Sequence, residues 1–248
     1  MWQTEQIFYN FSKYIQPLTW SNFTYLLLLL FSISYPLYKS FEERIQTYKS
    51  WKIFLISITS VALPFIIWDV IFEHQGIWSF NLQFVTGIYI LNLPLEEWMF
   101  FFIVPYACIF IYEVLNYFFK ADINVKLLQS ILFVASILLF VLSYIYRQQI
   151  YTFVISFAMA ILLLIQVLFN SPHANWKAIR TFLASLIPFL LINGVLTYLP
   201  VVSYNDAENS GLRIFTIPVE DAGYLYILLM LNFMIIEFLR KKSSKHIG

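Results

Sequence analysis

Along most of the chain, apolar residues run in stretches of about 20 with few charges, the length that crosses the hydrocarbon core of a bilayer as a helix. Seven such stretches are read, at residues 22–38, 53–72, 95–118, 127–146, 150–169, 178–199 and 219–239. Their polar residues are too few to form a solvated face, which predicts helices immersed in lipid or packed on one another. The expected fold class is all-α: a polytopic membrane protein of about seven transmembrane helices. Residues 77–93 are apolar enough to be buried but carry Asn81, Gly87 and Asn92, so they are read as a loop or re-entrant piece. Residues 1–20 hold Glu5, Lys13 and Pro17 without the pattern of a signal peptide, and an amphipathic lead-in is expected there.

The polar residues that interrupt the apolar stretches recur in register. Pro94, Leu95, Glu96 and Glu97 return as Pro218, Val219, Glu220 and Asp221, a spacing of 124 residues. The same offset matches Pro64 to Pro188, Ser79 to Ser203, Asn81 to Asn205, Gly87 to Gly211 and Glu113 to Glu237, and sets Phe80 on Tyr204 and Asp69 on Asn193. Such matching marks a duplicated unit. The division expected is a first repeat over residues 1–120, a connecting helix over 121–149 and a second repeat over 150–248. Four spans fit inside the offset, an even number, so equivalent spans point the same way. The repeats are then related by an axis along the membrane normal, unlike the inverted repeats of many transporters.

Composition agrees with a membrane protein: 60% of the 248 residues are hydrophobic, 20% aromatic and 12% charged, against about 25% charged in soluble domains. Basic residues are retained on the cytoplasmic side. Twelve of the fifteen (Lys39, Arg44, Lys49, Lys52, Lys120, Lys126, Lys177, Arg180, Arg240, Lys241, Lys242 and Lys245) fall on one side, leaving Lys13, Arg147 and Arg213 on the other. The expected orientation is amino terminus outside, carboxyl terminus in the cytoplasm, with both acid motifs entering from the non-cytoplasmic face. Glu113 and Glu237 come seventeen residues after Glu96 and Glu220, about 25 Å along a helix, near the cytoplasmic ends. The single cysteine, Cys108, can form no intramolecular disulfide and is read as packing.

Glu96, Glu97, Glu220 and Asp221 are the candidate catalytic residues. Proline followed by acids is also an ordinary helix start, since the acids complement the positive end of the helix; two copies at one depth, each with adjacent acids, are harder to explain that way. A carboxylic acid kept neutral by apolar surroundings can donate a proton. Rings crowd the first motif (Trp68, Trp78, Phe80, Trp98, Phe100, Phe101, Phe102, Tyr106) and the second (Tyr198, Tyr204, Phe215, Tyr224, Tyr226). Most suit helix interfaces and aromatic belts, but ring faces can also stabilise a cation by about 0.5 to 2 kcal/mol each. Asp69 and Asn193 are matched polar residues within spans, suited to an interhelical hydrogen bond or to a part in chemistry. Asn81 and Asn205 are loop caps or orient a carboxyl. Together with Trp78, Phe80, Trp98 and Tyr204 these form the supporting or substrate-binding set. His74, His173 and His246 draw no metal triad, and no glycine-rich nucleotide or flavin motif occurs, so neither a metal nor another cofactor is expected, nor a nucleic-acid partner. The spans carry no lysine for a retinal Schiff base.

The run Trp78, Ser79, Phe80, Asn81, then Gly87, then Pro94, Leu95, Glu96, Glu97 and Trp98, repeated in part around Glu220 and Asp221, resembles the carotenoid lycopene cyclases of the small membrane-embedded type. In that family two such units occur as short subunits of a heterodimer, as one fused chain, or joined to phytoene synthase in fungi. This chain is similar to the fused form over nearly its whole length. Phytoene synthase activity is expected in a separate protein. The second copy departs from the first at Asp221, Ala222 and Gly223, which replace Glu97, Trp98 and Met99, so the two sites are expected to be unequal.

The resemblance implies cyclisation of the linear ψ ends of lycopene to β-ionone rings, giving β-carotene by way of γ-carotene, an isomerisation. It also implies substrate drawn sideways from the bilayer, a bacterial inner membrane, and contact with other enzymes of carotenoid biosynthesis. Because both copies keep Glu at that position, Glu96 is expected to donate the proton, with Glu220 as its counterpart. A hydratase of carotenoid end groups, a proton-coupled transporter and a structural subunit remain as alternatives.

Overall fold

The computed structural model describes residues 19–119 and 125–244. Most of the expected lead-in, with Lys13, as well as Lys120, Lys245 and His246, lies outside the described residues. Seven α-helices are seen among those described: α1 (Thr24–Lys39), α2 (Trp51–His74), α3 (Leu95–Phe118), α4 (Val125–Ile145), α5 (Ile150–Phe169), α6 (Pro172–Tyr198) and α7 (Val219–Ser244). They follow the seven apolar stretches, and six of them, α2 to α7, are long and apolar enough to cross a membrane. The chain is an integral membrane protein of the all-α class built from two repeats.

The largest departures from the apolar boundaries are at α6 and α7. The sixth helix starts at Pro172, six residues before the apolar stretch. Ser171 Oγ caps it by accepting the Ala174 backbone N–H at 3.2 Å, and proline at the first position needs no partner for the N–H it lacks. Lys177 therefore lies on the helix, in the turns that precede its apolar part, with Arg180 just inside it. α7 similarly runs through Arg240, Lys241 and Lys242 to Ser244. Hydropathy marks the part of a helix that matches lipid, whereas the caps mark where the helix itself ends. The first helix, with 16 residues, is shorter than a full span, but a 3-10 turn over Trp20–Phe23 leads directly into it.

Between the second and third helices of each repeat stands a small loop module instead of a span, as residues 77–93 predicted. Its strands are β1 (Trp78–Phe80), β2 (Tyr89–Ile90) and β3 (Leu93–Pro94) in the first copy, and β4 (Val202–Tyr204), β5 (Arg213–Ile214) and β6 (Ile217–Pro218) in the second. β2 pairs with β3 and β5 with β6 as tight hairpins. Leu91, and its repeat mate Phe215, adopt positive φ in these turns, and Asn92 does so beside Leu91. Backbone groups left unpaired near lipid cost several kcal/mol each, and the modules satisfy theirs in register. Leu95 N donates to Ile88 O at 2.8 Å, as Val219 N does to Leu212 O at 3.1 Å.

The two modules join each other. β1 pairs antiparallel with β4, with Ser79 opposite its own repeat mate Ser203. Asn81 N donates to Val201 O and Asn205 N to Ile77 O, both at 2.9 Å, again as equivalents. Antiparallel pairing of equivalent strands about one serine pair places a local two-fold axis between Ser79 and Ser203. Below this lid α2, α3, α6 and α7 form the centre of the bundle, with α1 against α3 and α5 against α7, while α4 packs on the outside of α5. α7 is the most enclosed helix: Leu225 to Met230 are all buried. Inside the bundle, Ser57 Oγ donates to Asn232 Oδ1 at 2.9 Å, tying α2 to α7.

Candidate active site

Directly under the paired strands lies a cavity walled by both repeats. Glu97 enters it from the first turn of α3 and Asp221 from the first turn of α7; Asp69 of α2 and Asn193 of α6 join them in its lining. All four are nearly or fully buried, at 3% to 8% exposure. The proline that precedes each pair, Pro94 or Pro218, ends a β-strand and hands the chain to the helix, so the second acid falls inward toward the two-fold axis.

The donors around the two acids are unequal. Asp221 accepts three hydrogen bonds, all at 2.7 Å: Tyr151 O–H to Oδ1, and Asn193 Nδ2 and Tyr204 O–H to Oδ2. Glu97 accepts from Tyr25 O–H to Oε2 at 2.7 Å. At the positions matching Asn193 and Tyr204 the first repeat has Asp69 and Phe80, neither of which offers a carboxylate the same donor. Asp69 Oδ1 receives only a long bond from Tyr224 O–H at 3.5 Å, and its Oδ2 is buried without a partner among the described residues. Hydrogen bonds to a charged group contribute roughly 1.5–3 kcal/mol each, so the Asp221 side is firmly held and the Glu97 side loosely.

Aromatic rings make up most of the remaining wall. Trp78 on β1 is the hub, with centroid distances of 5.3 Å to Tyr151, 6.3 Å to Tyr204 and 6.3 Å to Tyr224, while Tyr151 and Tyr204 stack at 6.1 Å. Outside the spans, burial and then the neighbouring Asp221 charge push the Tyr204 phenol well above its ordinary range, which keeps its hydroxyl a donor. The enclosed space is small, about 60 Å³, well under the roughly 300 Å³ at which small-molecule pockets usually begin. An incoming group has to displace rings or come in from an adjoining space.

The structure thus brings together Asp69, Trp78, Phe80, Glu97, Asn193, Tyr204 and Asp221. It sends the other expected residues elsewhere. Glu96 Oε1 accepts the Thr86 backbone N–H, and Glu220 Oε1 the Ser210 backbone N–H, both at 2.8 Å and in repeat register; Thr152 Oγ1 donates to Glu220 as well, at 2.5 Å. These two glutamates pin the loop modules and are not among the residues lining this cavity; Glu220 borders a second, apolar space beside Thr152 and Gly223, and the Oε2 of each is buried without a partner among the described residues. Adjacent residues at a helix start point about 100° apart, and only one of each pair can face the axis. Asn81 and Asn205 cap turns, accepting from Gln83 N at 3.0 Å and Ala207 N at 3.1 Å. Trp98 Nε1 donates to Ile90 O at 3.1 Å and steadies the first hairpin.

Sequence reading missed Tyr25 and Tyr151, the hydroxyl partners of the two acids. They lie 126 residues apart, two more than the repeat offset, so a gapless slide does not pair them. At the far end of the bundle Glu113 and Glu237 converge on one cation: Arg240 lies 2.9 Å from Glu113 and 4.0 Å from Glu237, and Tyr112 O–H donates to Glu237 at 2.8 Å. That cluster closes the bundle well away from the cavity.

The family model described as Lycopene cyclase matches residues 22–115 and again 148–239, one match on each repeat and three quarters of the chain together. No curated protein and no solved structure matches it.

Proposed function

The chain belongs to the lycopene cyclase family, and from that premise we propose that it closes the ψ ends of lycopene to β-ionone rings, with Glu97 and Asp221 as the reacting acid and base. The observation that carries this reading is an aromatic-walled cavity shared by the two repeats, to which the first contributes Asp69 and Glu97 and the second Asp221.

Ring closure needs a proton delivered to the terminal double bond, a dry space for the resulting cation, and a base for the ring proton that leaves. Glu97 in its protonated form, loosely held and next to Asp69, suits delivery. Once the terminal alkene takes the proton, the cation is attacked by the neighbouring double bond, a carbon–carbon bond forms and the charge moves into the ring. The faces of Trp78, Tyr204 and Tyr224 suit a passing cation, at about 0.5 to 2 kcal/mol per well-placed ring. Asp221, fixed by three donors, suits removal of the ring proton, which sets the new double bond. One proton is added and one removed, so no redox partner is consumed. The proton then has to return from Asp221 to Glu97, and Asp69 and the tyrosine hydroxyls between them offer a path.

In this reading the paired strands and the acid cavity lie at the non-cytoplasmic face and the Arg240 cluster at the cytoplasmic one. Expression in a lycopene-accumulating bacterium tests the function. Red lycopene should give way to β-carotene on chromatography of the pigments; unchanged lycopene with the protein inserted in the membrane would overturn it, and hydroxylated ends would point to water capture of the cation instead.

A further inference from the structure

We propose that the groove between α1, α3 and α6 seats the linear hydrocarbon chain of the substrate and is the path by which one end group at a time reaches Glu97 and Asp221; this rests on the cyclase reading. The groove has a volume of about 430 Å³. Its mouth is bordered by Phe31, Tyr35 and Leu191, exposed by 73%, 64% and 68%, as lipid-facing residues are. At its inner end, Phe100, Phe189, Asn193 and Leu196 wall both the groove and the acid cavity, so the two spaces share a partition. A C40 polyene has no polar group to recognise, and an apolar trough that runs from lipid to an acid is the shape its chemistry calls for.

The two-fold relation of the repeats makes a second such path conceivable on the other side, and the sequence fills it. Where the open groove has Phe100, Phe189 and Ile192, the repeat mates are Tyr224, Phe65 and Trp68. Those three rings pack together at centroid distances of 5.1 to 5.4 Å. Deeper in, Leu228 and Asn232, the mates of Val104 and Cys108, are fully buried. Tryptophan in place of isoleucine and tyrosine in place of phenylalanine close the equivalent route. A substrate with two identical ends therefore has to present them in turn, withdrawing into lipid after the first ring forms and returning reversed. The one-ringed product is then a free intermediate that mixes with the bilayer pool.

Two measurements on the full-length protein in lipid vesicles test this. The photo-reactive residue p-benzoylphenylalanine is placed at Leu191, at the groove mouth, or at its exposed mate Ile67, and irradiated with radiolabelled lycopene. Cross-linking at 191 should exceed that at 67 by about tenfold, a difference of about 1.4 kcal/mol in occupancy; equal labelling would overturn the groove. Separately, Ala107→Trp, which plugs the groove, should slow turnover of lycopene by at least about tenfold, whereas Ile67→Trp, at the exposed mate position of Leu191, should stay within about twofold of wild type. An unaltered rate in Ala107→Trp, or equal losses in the two variants, would overturn the proposal. If the wild-type protein does not cyclise lycopene yet cross-links at 191, the cyclase reading fails and the groove stands as a polyene site.

Discussion

Tyr25 and Tyr151 hold the same place in the two repeats: each is the second residue of its helix, α1 or α5, and each donates its hydroxyl at 2.7 Å to the inward acid of the motif, Glu97 or Asp221. The likeness ends there. Tyr25 is the hydrogen-bond donor seen on Glu97, whereas Tyr151 is one of three on Asp221. Tyr25→Phe should therefore be the more damaging change, lowering kcat by about 10- to 100-fold, as removal of one bond to the carboxylate that forms when Glu97 gives up its proton predicts. Tyr151→Phe should cost less than about tenfold, because two donors remain on Asp221. Initial rates on lycopene in vesicles, with the circular dichroism of both variants compared, check the order.

The inward and outward acids separate cleanly by substitution. Glu97→Gln should abolish ring closure, a loss of at least about 100-fold for a group that transfers the proton, and Asp221→Asn should do the same. Glu96→Gln keeps an acceptor for the Thr86 N–H and should retain most activity. Equal loss at Glu96 and Glu97 in pigment assays would return the proton donor to the outward acid.

That distinction marks the limit of what the sequence reveals here. The spans were legible because lipid demands about 20 apolar residues, and the two-fold design because polar residues in apolar helices are few enough for their register to stand out. The loop modules were legible as interruptions. Which acid of each pair turns inward was not, because it depends on the rotation of α3 and α7 about their axes, and helices apolar on nearly every face give no sign of which face packs inward, although Phe101 and Leu225, one turn beyond Glu97 and Asp221, are buried in the core. The tyrosine partners were hidden by the two-residue slip between α1 and α5, and the ring cluster of Phe65, Trp68 and Tyr224 because a count of apolar residues treats Trp68 and its mate Ile192 alike.

Loop anchoring gives a stability prediction. Glu96→Ala leaves the half-buried Thr86 N–H without its acceptor, a loss of about 1 kcal/mol. Hydrogen exchange at the Thr86 amide should quicken severalfold, with the Ser210 amide unchanged. Glu220→Ala should give the reverse pattern.

The Tyr204 phenol carries a pH signature. Burial and the Asp221 charge hold its folded pKa well above the value near 10 of an exposed tyrosine. The folded state thus keeps a proton that the unfolded chain loses above about pH 10, so the linked stability is complete below that pH and falls as pH rises further. Tyr204→Phe should flatten the decline between about pH 10 and 12, measured as the thermal midpoint in detergent against pH; an unchanged slope would mean that the hydroxyl is reached by solvent.

Gly223 is where the second repeat could not keep the residue of the first. Its mate Met99 packs within the cluster of α1 and α3 that contains Tyr25, Leu29 and Ile103. A Cβ at Gly223 would stand 2.4 Å from Ile155 Cγ2 and 2.7 Å from Met159 Sδ. Met159 can swing aside, but Ile155 is branched at Cβ and buried at 4% exposure, so it cannot yield without moving α5 from α7. Gly223→Ala should therefore destabilise the protein by about 1–3 kcal/mol, and because Tyr151 and Thr152 ride on the same helix, it should also pull their hydroxyls from Asp221 and Glu220. Removing the obstruction in the double variant Gly223→Ala with Ile155→Leu, which deletes the clashing Cγ2 branch at constant volume, should restore both the thermal midpoint and the rate relative to Gly223→Ala alone. Recovery of stability without recovery of rate would mean that the close approach of α5 and α7 is needed for packing but does not aim Tyr151.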